Sequence, residues 1–230
     1  MLGVPVGIVT GASRGLGLAL ARSLVDRGWD LVIDARGEEA LSRSAAALGP
    51  SVTAVPGDVA DTQHRAALVE AAGERIDLLV NNASLLGPSP QPPLAAYPPG
   101  ILESVYQVNV FAPLGLAQLA IPRMPPGSAI LNITSDAAVE PYEGWGGYGS
   151  SKAALEQLTS ILAAEHPARR IYAVDPGDMN TRMHQEAVPD EDISDRPPPE
   201  DSVPGLLALI DGDVPSGRYR ASELATKAGV

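Results

Sequence analysis

The sequence predicts a doubly wound α/β fold, a parallel sheet between two layers of helices (three-layer α/β/α), in a single domain spanning 1–230. Three observations predict it. Short apolar runs without polar alternation recur along the chain, as in strands buried on both faces. Each run is followed by a helical pattern, which is what right-handed crossovers between parallel strands require. A cluster of glycines stands at the first strand-to-helix junction, where open α/β sheets meet their ligands. A chain of 230 residues is long enough for a sizeable core, and 45% hydrophobic against 19% charged residues excludes a disordered chain.

The elements follow in order. Val4 to Thr10 is an apolar first strand, and the glycines after it open a helix over Leu16 to Arg27. Trp29 to Ala35 is the second strand, followed by a helix from Glu38 to Leu48. Ser51 to Val55 leads into Gly57-Asp58-Val59-Ala60-Asp61, then a helix from Thr62 to Ala72, then a strand from Asp77 to Asn81. The later strands are Ala129 to Thr134, Ile171 to Asp175 and Gly217 to Ala221. Helices between them cover Ile101 to Ile121, Gly147 to Glu165 and Ser202 to Ile210. Two proline-rich stretches, 87–100 and the acidic 188–201, interrupt the rhythm and read as surface loops. The second lies where a lid would close, over about 182–204.

Composition narrows the function. A formal charge of −12 disfavours nucleic acid or an anionic membrane as partner. Without cysteine there is no disulfide, thiolate site or cysteine nucleophile. No run approaches the roughly 18 apolar residues of a membrane helix. The start, MLGVPVGIVTGAS, has no basic region, so no signal peptide is expected. A cytoplasmic globule is the expectation. His64, His166 and His184 are scattered, and no metal site is expected.

The motifs point to nucleotide chemistry. Thr10-Gly11-Ala12-Ser13-Arg14-Gly15-Leu16-Gly17 stands where glycines let the backbone turn toward a pyrophosphate and the next helix can hold it. Tyr148-Gly149-Ser150-Ser151-Lys152 sets a phenol and an ammonium on one helix face. A nearby cation favours phenolate, so the pair can exchange a proton with a carbonyl or alcohol. The chain has 6 tyrosines and 2 lysines (Lys152 and Lys227) against 14 arginines. Random placement would give about 0.05 Tyr-x-x-x-Lys pairs. Ser135 closes a strand at the sheet edge where ligands bind, and its hydroxyl can bond a carbonyl oxygen. Leu86, Tyr142, Trp145, Met179 and Met183 are candidates for pocket lining.

Together these pieces resemble the short-chain dehydrogenase/reductase family, over nearly the whole chain. The glycine run matches its T-G-x-x-x-G-x-G, and Asp58 its adenine-contacting acid. Asn81-Asn82-Ala83 matches N-N-A, and Pro176-Gly177 with Thr181 matches the P-G-x-x-x-T that cradles nicotinamide. Asn109, Ser135, Tyr148 and Lys152 fall in the order of its catalytic tetrad. The resemblance implies a Rossmann-like fold and an oxidoreductase that moves hydride between a nicotinamide and a carbonyl/alcohol pair. Tyr148 would be the general acid/base. Lys152 would lower its pKa and bind the ribose, Ser135 would orient the carbonyl, and Asn109 would anchor a water in the proton path. Cofactor contacts would come from Gly11, Ser13, Arg14, Gly15, Leu16, Gly17, Arg36, Asp58, Val59, Asn81, Ala83, Tyr148, Lys152, Pro176, Gly177, Met179 and Thr181.

Two departures stand out. Ser84 replaces the glycine that usually ends N-N-A-G, and Asp178 replaces an apolar residue after Pro-Gly. Arg14 and Arg36 suit a 2′-phosphate, so NADP(H) is expected over NAD(H). Asp34 argues the other way, but in the family pattern the discriminating position aligns with Ala35. A non-catalytic nucleotide sensor is the remaining alternative. A homodimer, or a tetramer, is expected through helices 101–121 and 147–165. Pro113, lacking an N–H, is expected to free the carbonyl of Asn109 at a kink.

Overall fold

Strands apolar on both sides are satisfied only between two helical layers. The computed structural model, which describes residues 3–225, has that arrangement. Lys227 lies outside the described residues. Among the described residues the strands are β1 (Val6–Val9), β2 (Asp30–Ala35), β3 (Val52–Pro56), β4 (Leu78–Asn81), β5 (Ala129–Ile133), β6 (Arg170–Asp175) and β7 (Gly217–Arg220). They form one sheet in the order β3-β2-β1-β4-β5-β6-β7, every pair parallel.

The register explains the unalternating sequence. Val32, Ile8, Leu79, Ile130 and Ile171 align across five strands and form one core. Their chain neighbours Ile33, Val9, Val80, Leu131 and Tyr172 align one residue on and form the other. Helices α1 (Gly15–Asp26), α2 (Glu38–Leu48) and α8 (Val203–Asp211) contribute to the second core. Helices α3 (Thr62–Ala71), α5 (Ala112–Ala120) and α6 (Gly146–Glu165) pack on the first.

Most boundaries fall within one or two residues of expectation, and α2 matches at both ends. The helix expected over Ile101–Ile121 is more irregular. α4 (Pro99–Tyr106) begins inside the expected loop, with proline tolerated in its first turn where its missing N–H has no helical partner. A π-turn follows over Gln107–Phe111, in which the Ala112 N–H donates to the Gln107 carbonyl, and α5 and a 3₁₀ turn (Ile121–Arg123) complete the rod. The kink expected at Pro113 is thus a widened turn just before it. By length and composition alone the 25-residue rod Pro99–Arg123 passes for a membrane span, with a mean hydropathy of 1.2 over its most apolar 18 residues, but 44% of that window is buried inside the fold. Counting consecutive apolar residues missed it because Glu103, Ser104 and Gln107 break the run. Leu116, Ala117 and Ala120 of the rod are core residues against Leu68 and Val69 of α3.

The acidic segment is more ordered than a connector. α7 (Arg182–Ala187) starts at Thr181, whose hydroxyl accepts the His184 N–H at 3.2 Å. Asn180 N–H donates to the Pro197 carbonyl, and Ser202 Oγ to that of Pro176. Ile193 is buried, while Asp190, Glu191, Asp192 and Asp195 face solvent. Short α9 (Ala221–Ala225) follows β7.

Candidate active site

The carboxyl ends of the strands open into a cleft of about 800 Å³. At its floor the β1–α1 loop turns through Gly11 (φ 66°) and Gly15 (φ 56°), conformations that side-chain-bearing residues avoid. A Cβ on Gly17 would lie 2.6 Å from Asn82 Nδ2 and 2.7 Å from the Gly11 carbonyl oxygen. Asn82 occupies that space, its Nδ2 donating to the Thr10 and Gly11 carbonyls at 2.8 and 3.2 Å. Thr10 Oγ1 in turn accepts the N–H groups of Asn82 and Ala83. The start of the loop is therefore tied to the segment just after β4.

A second tie comes from β2. Asp34, buried, accepts the Gly11 N–H on Oδ1 at 2.7 Å, and its Oδ2 lies 3.0 Å from His64 Nε2. His64 packs where a Cβ on Gly57 would lie 2.2 Å from its ring. The bracing bonds of Asn82 and of this histidine escaped the sequence reading. Nothing local in the sequence signals a bond between residues 30 apart.

Of the expected cofactor contacts, Gly11, Ser13, Arg14, Gly15, Leu16, Arg36, Asp58, Val59, Ala83, Pro176, Gly177, Met179 and Thr181 line the cleft. Gly17 lies behind them as a close-packing position. Asn81 points into the sheet, donating to Asn132 Oδ1 at 2.7 Å, while its own Oδ1 is buried without a partner. Asn82, not Asn81, faces the cleft.

Ser135, Tyr148 and Lys152 come together at the other end. Their proximity depends on Gly149, where a Cβ would lie 2.5 Å from the Ala137 carbonyl oxygen, so α6 can press against the segment after β5. Lys152 is buried beneath β5 and donates from Nζ to the Ile133 carbonyl at 2.8 Å, 5.4 Å from the Tyr148 ring centroid. Burial pushes its pKa down to about 7. Burial likewise pushes the Tyr148 phenol up to about 12, against the downward pull of a hydrogen bond with Ser84, with Asp175 and Asp136 adding to the rise. The sequence expectation was a phenol lowered by its cationic neighbour; desolvation outweighs that here.

Asn109 lies in the π-turn, fully buried. Its Oδ1 accepts the Leu85 N–H at 2.8 Å and the Ser84 hydroxyl at 3.1 Å. Its Nδ2 donates to the Leu85 carbonyl and to Ser151 Oγ, both at 2.9 Å. Ser84, the departure from N-N-A-G, thereby joins Asn109 to the phenol. Behind Ser135, Glu156 accepts from Thr134 Oγ1 at 2.7 Å and from Arg218 Nε at 2.9 Å. Burial raises Asp175, whose Oδ1 accepts the Gly177 N–H. Leu86, Trp145 and Met183 form an apolar wall beside Tyr148 with Ala137 and Ala187, as expected for pocket lining. Tyr142 is exposed and bonds Asp136 instead.

Comparison with known proteins agrees with this geometry. Residues 5–192 match the family described as short chain dehydrogenase. The chain is 34% identical over 204 residues to the sepiapterin reductase of Meriones unguiculatus, covering 80% of this chain and 78% of that protein. A structure described as a short chain dehydrogenase of Pseudomonas syringae superimposes with a TM-score of 0.88 at 31% identity, covering 94% of each chain. Another from Escherichia coli, complexed with NADPH, has a TM-score of 0.87 at 27% identity, covering 96% of this chain and 97% of that one.

The buried lysine has a thermodynamic consequence. Its pKa falls on folding, from 10.5 to about 7, so between those values the unfolded chain binds more protons. Its destabilising contribution is complete below about pH 7 and fades as pH rises toward 10.5. Lys152→Met removes the charge. Its stability relative to wild type should improve by about 2–3 kcal/mol from about pH 9 to about pH 6. Denaturant unfolding at both pH values checks this; a pH-independent difference would contradict it.

Proposed function

Because the chain belongs to the short-chain dehydrogenase family, we propose that this oxidoreductase is an NADP(H)-dependent reductase of carbonyl compounds with Tyr148 as proton donor. The reading rests on one juxtaposition: a buried phenol and a buried ammonium beside Ser135, at the end of a glycine-floored cleft. The cleft fits a dinucleotide, since Gly11, Gly15 and Gly17 leave open backbone where side chains would intrude. When bound, the nicotinamide supplies the hydride that adds to the carbonyl carbon.

The residues then have separable tasks. Tyr148 gives its proton to the carbonyl oxygen, and burial keeps the phenol protonated at neutral pH, the state that reduction needs. Lys152, while charged, stabilises the phenolate left behind. Ser135 turns its hydroxyl to the same oxygen. Asn109 has its side chain fully engaged with Leu85, Ser84 and Ser151, so its backbone carbonyl is the group left to hold a water in the proton path. Met183 and Ala187 of α7, with Pro199 and Glu200, form the lid side of the cleft. The acidic face of that segment favours neutral or cationic substrates over anions. The printed name of the gerbil relative, a reductase, supports this direction of reaction.

Arg14 and Arg36 both line the cleft, where guanidiniums can pair with a 2′-phosphate. Asp34 also lines the cleft, but it is buried and its two oxygens already hold the Gly11 N–H and His64 Nε2, which weakens it as a ribose ligand. Ile101, Phe111 and Leu119 are exposed along the 99–123 rod and Ile161 along α6. Apolar side chains there suit a C₂ dimer.

Tyr148→Phe should cut NADPH-dependent turnover of a reducible ketone by at least roughly 10²-fold while leaving NADPH affinity nearly unchanged; near-wild-type turnover would refute the assignment. Calorimetry should find NADP⁺ bound at least about tenfold more tightly than NAD⁺, a margin that Arg36→Leu narrows. Tighter NAD⁺ binding would reverse the cofactor reading. Light scattering at micromolar concentration should give a dimer that Phe111→Glu dissociates, and a wild-type monomer would rule the interface out.

A further inference from the structure

Ser135 has one hydroxyl proton, and it is engaged. Its Oγ donates to Asp136 Oδ1 at 2.9 Å and accepts the Ala137 N–H at 3.2 Å. The other carboxylate oxygen, Oδ2, accepts the Tyr142 hydroxyl at 2.9 Å. Asp136 is half-buried and lines the same cleft as Ser135 and Tyr148. It also borders an adjoining recess of about 240 Å³, with Arg220 and Ser222 on the far wall. The polar wall therefore continues beyond the reacting groups.

A carbonyl oxygen can receive the Ser135 proton only if that hydroxyl turns away from Asp136. Oδ1 then loses its donor in a place partly removed from water, and an unpaired charged acceptor is more costly there than a lost neutral bond. A substrate that brings its own donor removes that cost. The donor must reach Oδ1 while the carbonyl oxygen reaches Oγ, two atoms that stand one hydrogen-bond length apart. A hydroxyl or N–H on the carbon next to the carbonyl has that spacing from the carbonyl oxygen. Glu140 and Asp178 lie near enough to Tyr142 to add to the negative field, which admits a protonated amine and opposes a carboxylate.

We propose that Asp136 is a specificity-determining residue that selects carbonyl substrates bearing a hydroxyl, amine or amide N–H donor on the adjacent carbon. The proposal rests on the reductase reading above and specifies its substrate class. The exchange is a swap of hydrogen bonds. Ser135 Oγ–H leaves Oδ1 for the carbonyl, the substrate donor takes its place on Oδ1, and Tyr142 stays on Oδ2.

The test compares 2-hydroxyacetophenone with 2-methoxyacetophenone, using the full chain and NADPH. The ether oxygen of the second ketone can accept a hydrogen bond but cannot donate one. Wild type should favour the hydroxy ketone by about tenfold or more in kcat/KM, since a site built around a donor discriminates against analogues that lack it. In Asp136→Ala the ratio should collapse to within about twofold. Each ratio is taken within a single preparation, so a partly unfolded variant does not alter it. A wild-type ratio below about two, or an undiminished ratio in Asp136→Ala, would overturn the role of Asp136 while leaving the reductase reading intact. No NADPH consumption by wild type with these ketones or any other carbonyl compound would overturn both.

Discussion

Gly149 lets the backbone of α6 lie against the Ala137 carbonyl, a contact any larger residue would prevent. The arrangement of the Ser135, Tyr148 and Lys152 end of the cleft follows from that approach. It brings Lys152 beneath the end of β5, where the Ile133 carbonyl receives its ammonium, and it sets the Tyr148 ring beside Ser135. It also removes water from both groups. Desolvation disfavours the charged form of each, so the lysine falls and the tyrosine rises. The same glycine that permits the geometry therefore governs the protonation states, and it keeps the phenol neutral at physiological pH.

The glycine loop at the other end is held by a different device. Flexible glycines would leave a floppy turn, but Thr10, Asn82 and Asp34 fix its backbone from two neighbouring strands. Asp34 gives Oδ1 to this task, while its Oδ2 holds His64 of α3. In sequence it resembles a ribose ligand at a strand end; in the fold it is a brace. The charges left facing the cleft on that side include Arg14 and Arg36, so the electrostatic character of that end is set as much by what Asp34 is bound to as by the arginines.

Two further residues share the cleft with Ser135 and Tyr148. Ser84 adds a hydroxyl between the phenol and the Asn109 amide, where a glycine would contribute none. Asp136 takes the proton of the neighbouring serine. Neither belongs to the two cores, since both lie just beyond strand ends and line the cleft.

The sequence by itself determined the layers, the strand order of events along the chain and the family. These are properties of local pattern: unalternating apolar runs, glycines at the first turn, and a tyrosine and lysine spaced by one helical turn. The helix bounds of α2 and the lining by Leu86, Trp145 and Met183 were legible for the same reason. Only the tertiary structure decided which of Asn81 and Asn82 faces the cleft, that the rod after Pro99 contains a π-turn, and that 182–187 is a helix on the cleft wall. It also decided the partners of Asp34 and Arg218 and the direction in which Tyr148 titrates. The physical reason is common to all of them. Hydrogen bonds between residues 30 or 62 positions apart, and the loss of water around a side chain, depend on which surfaces meet, and no local pattern records that.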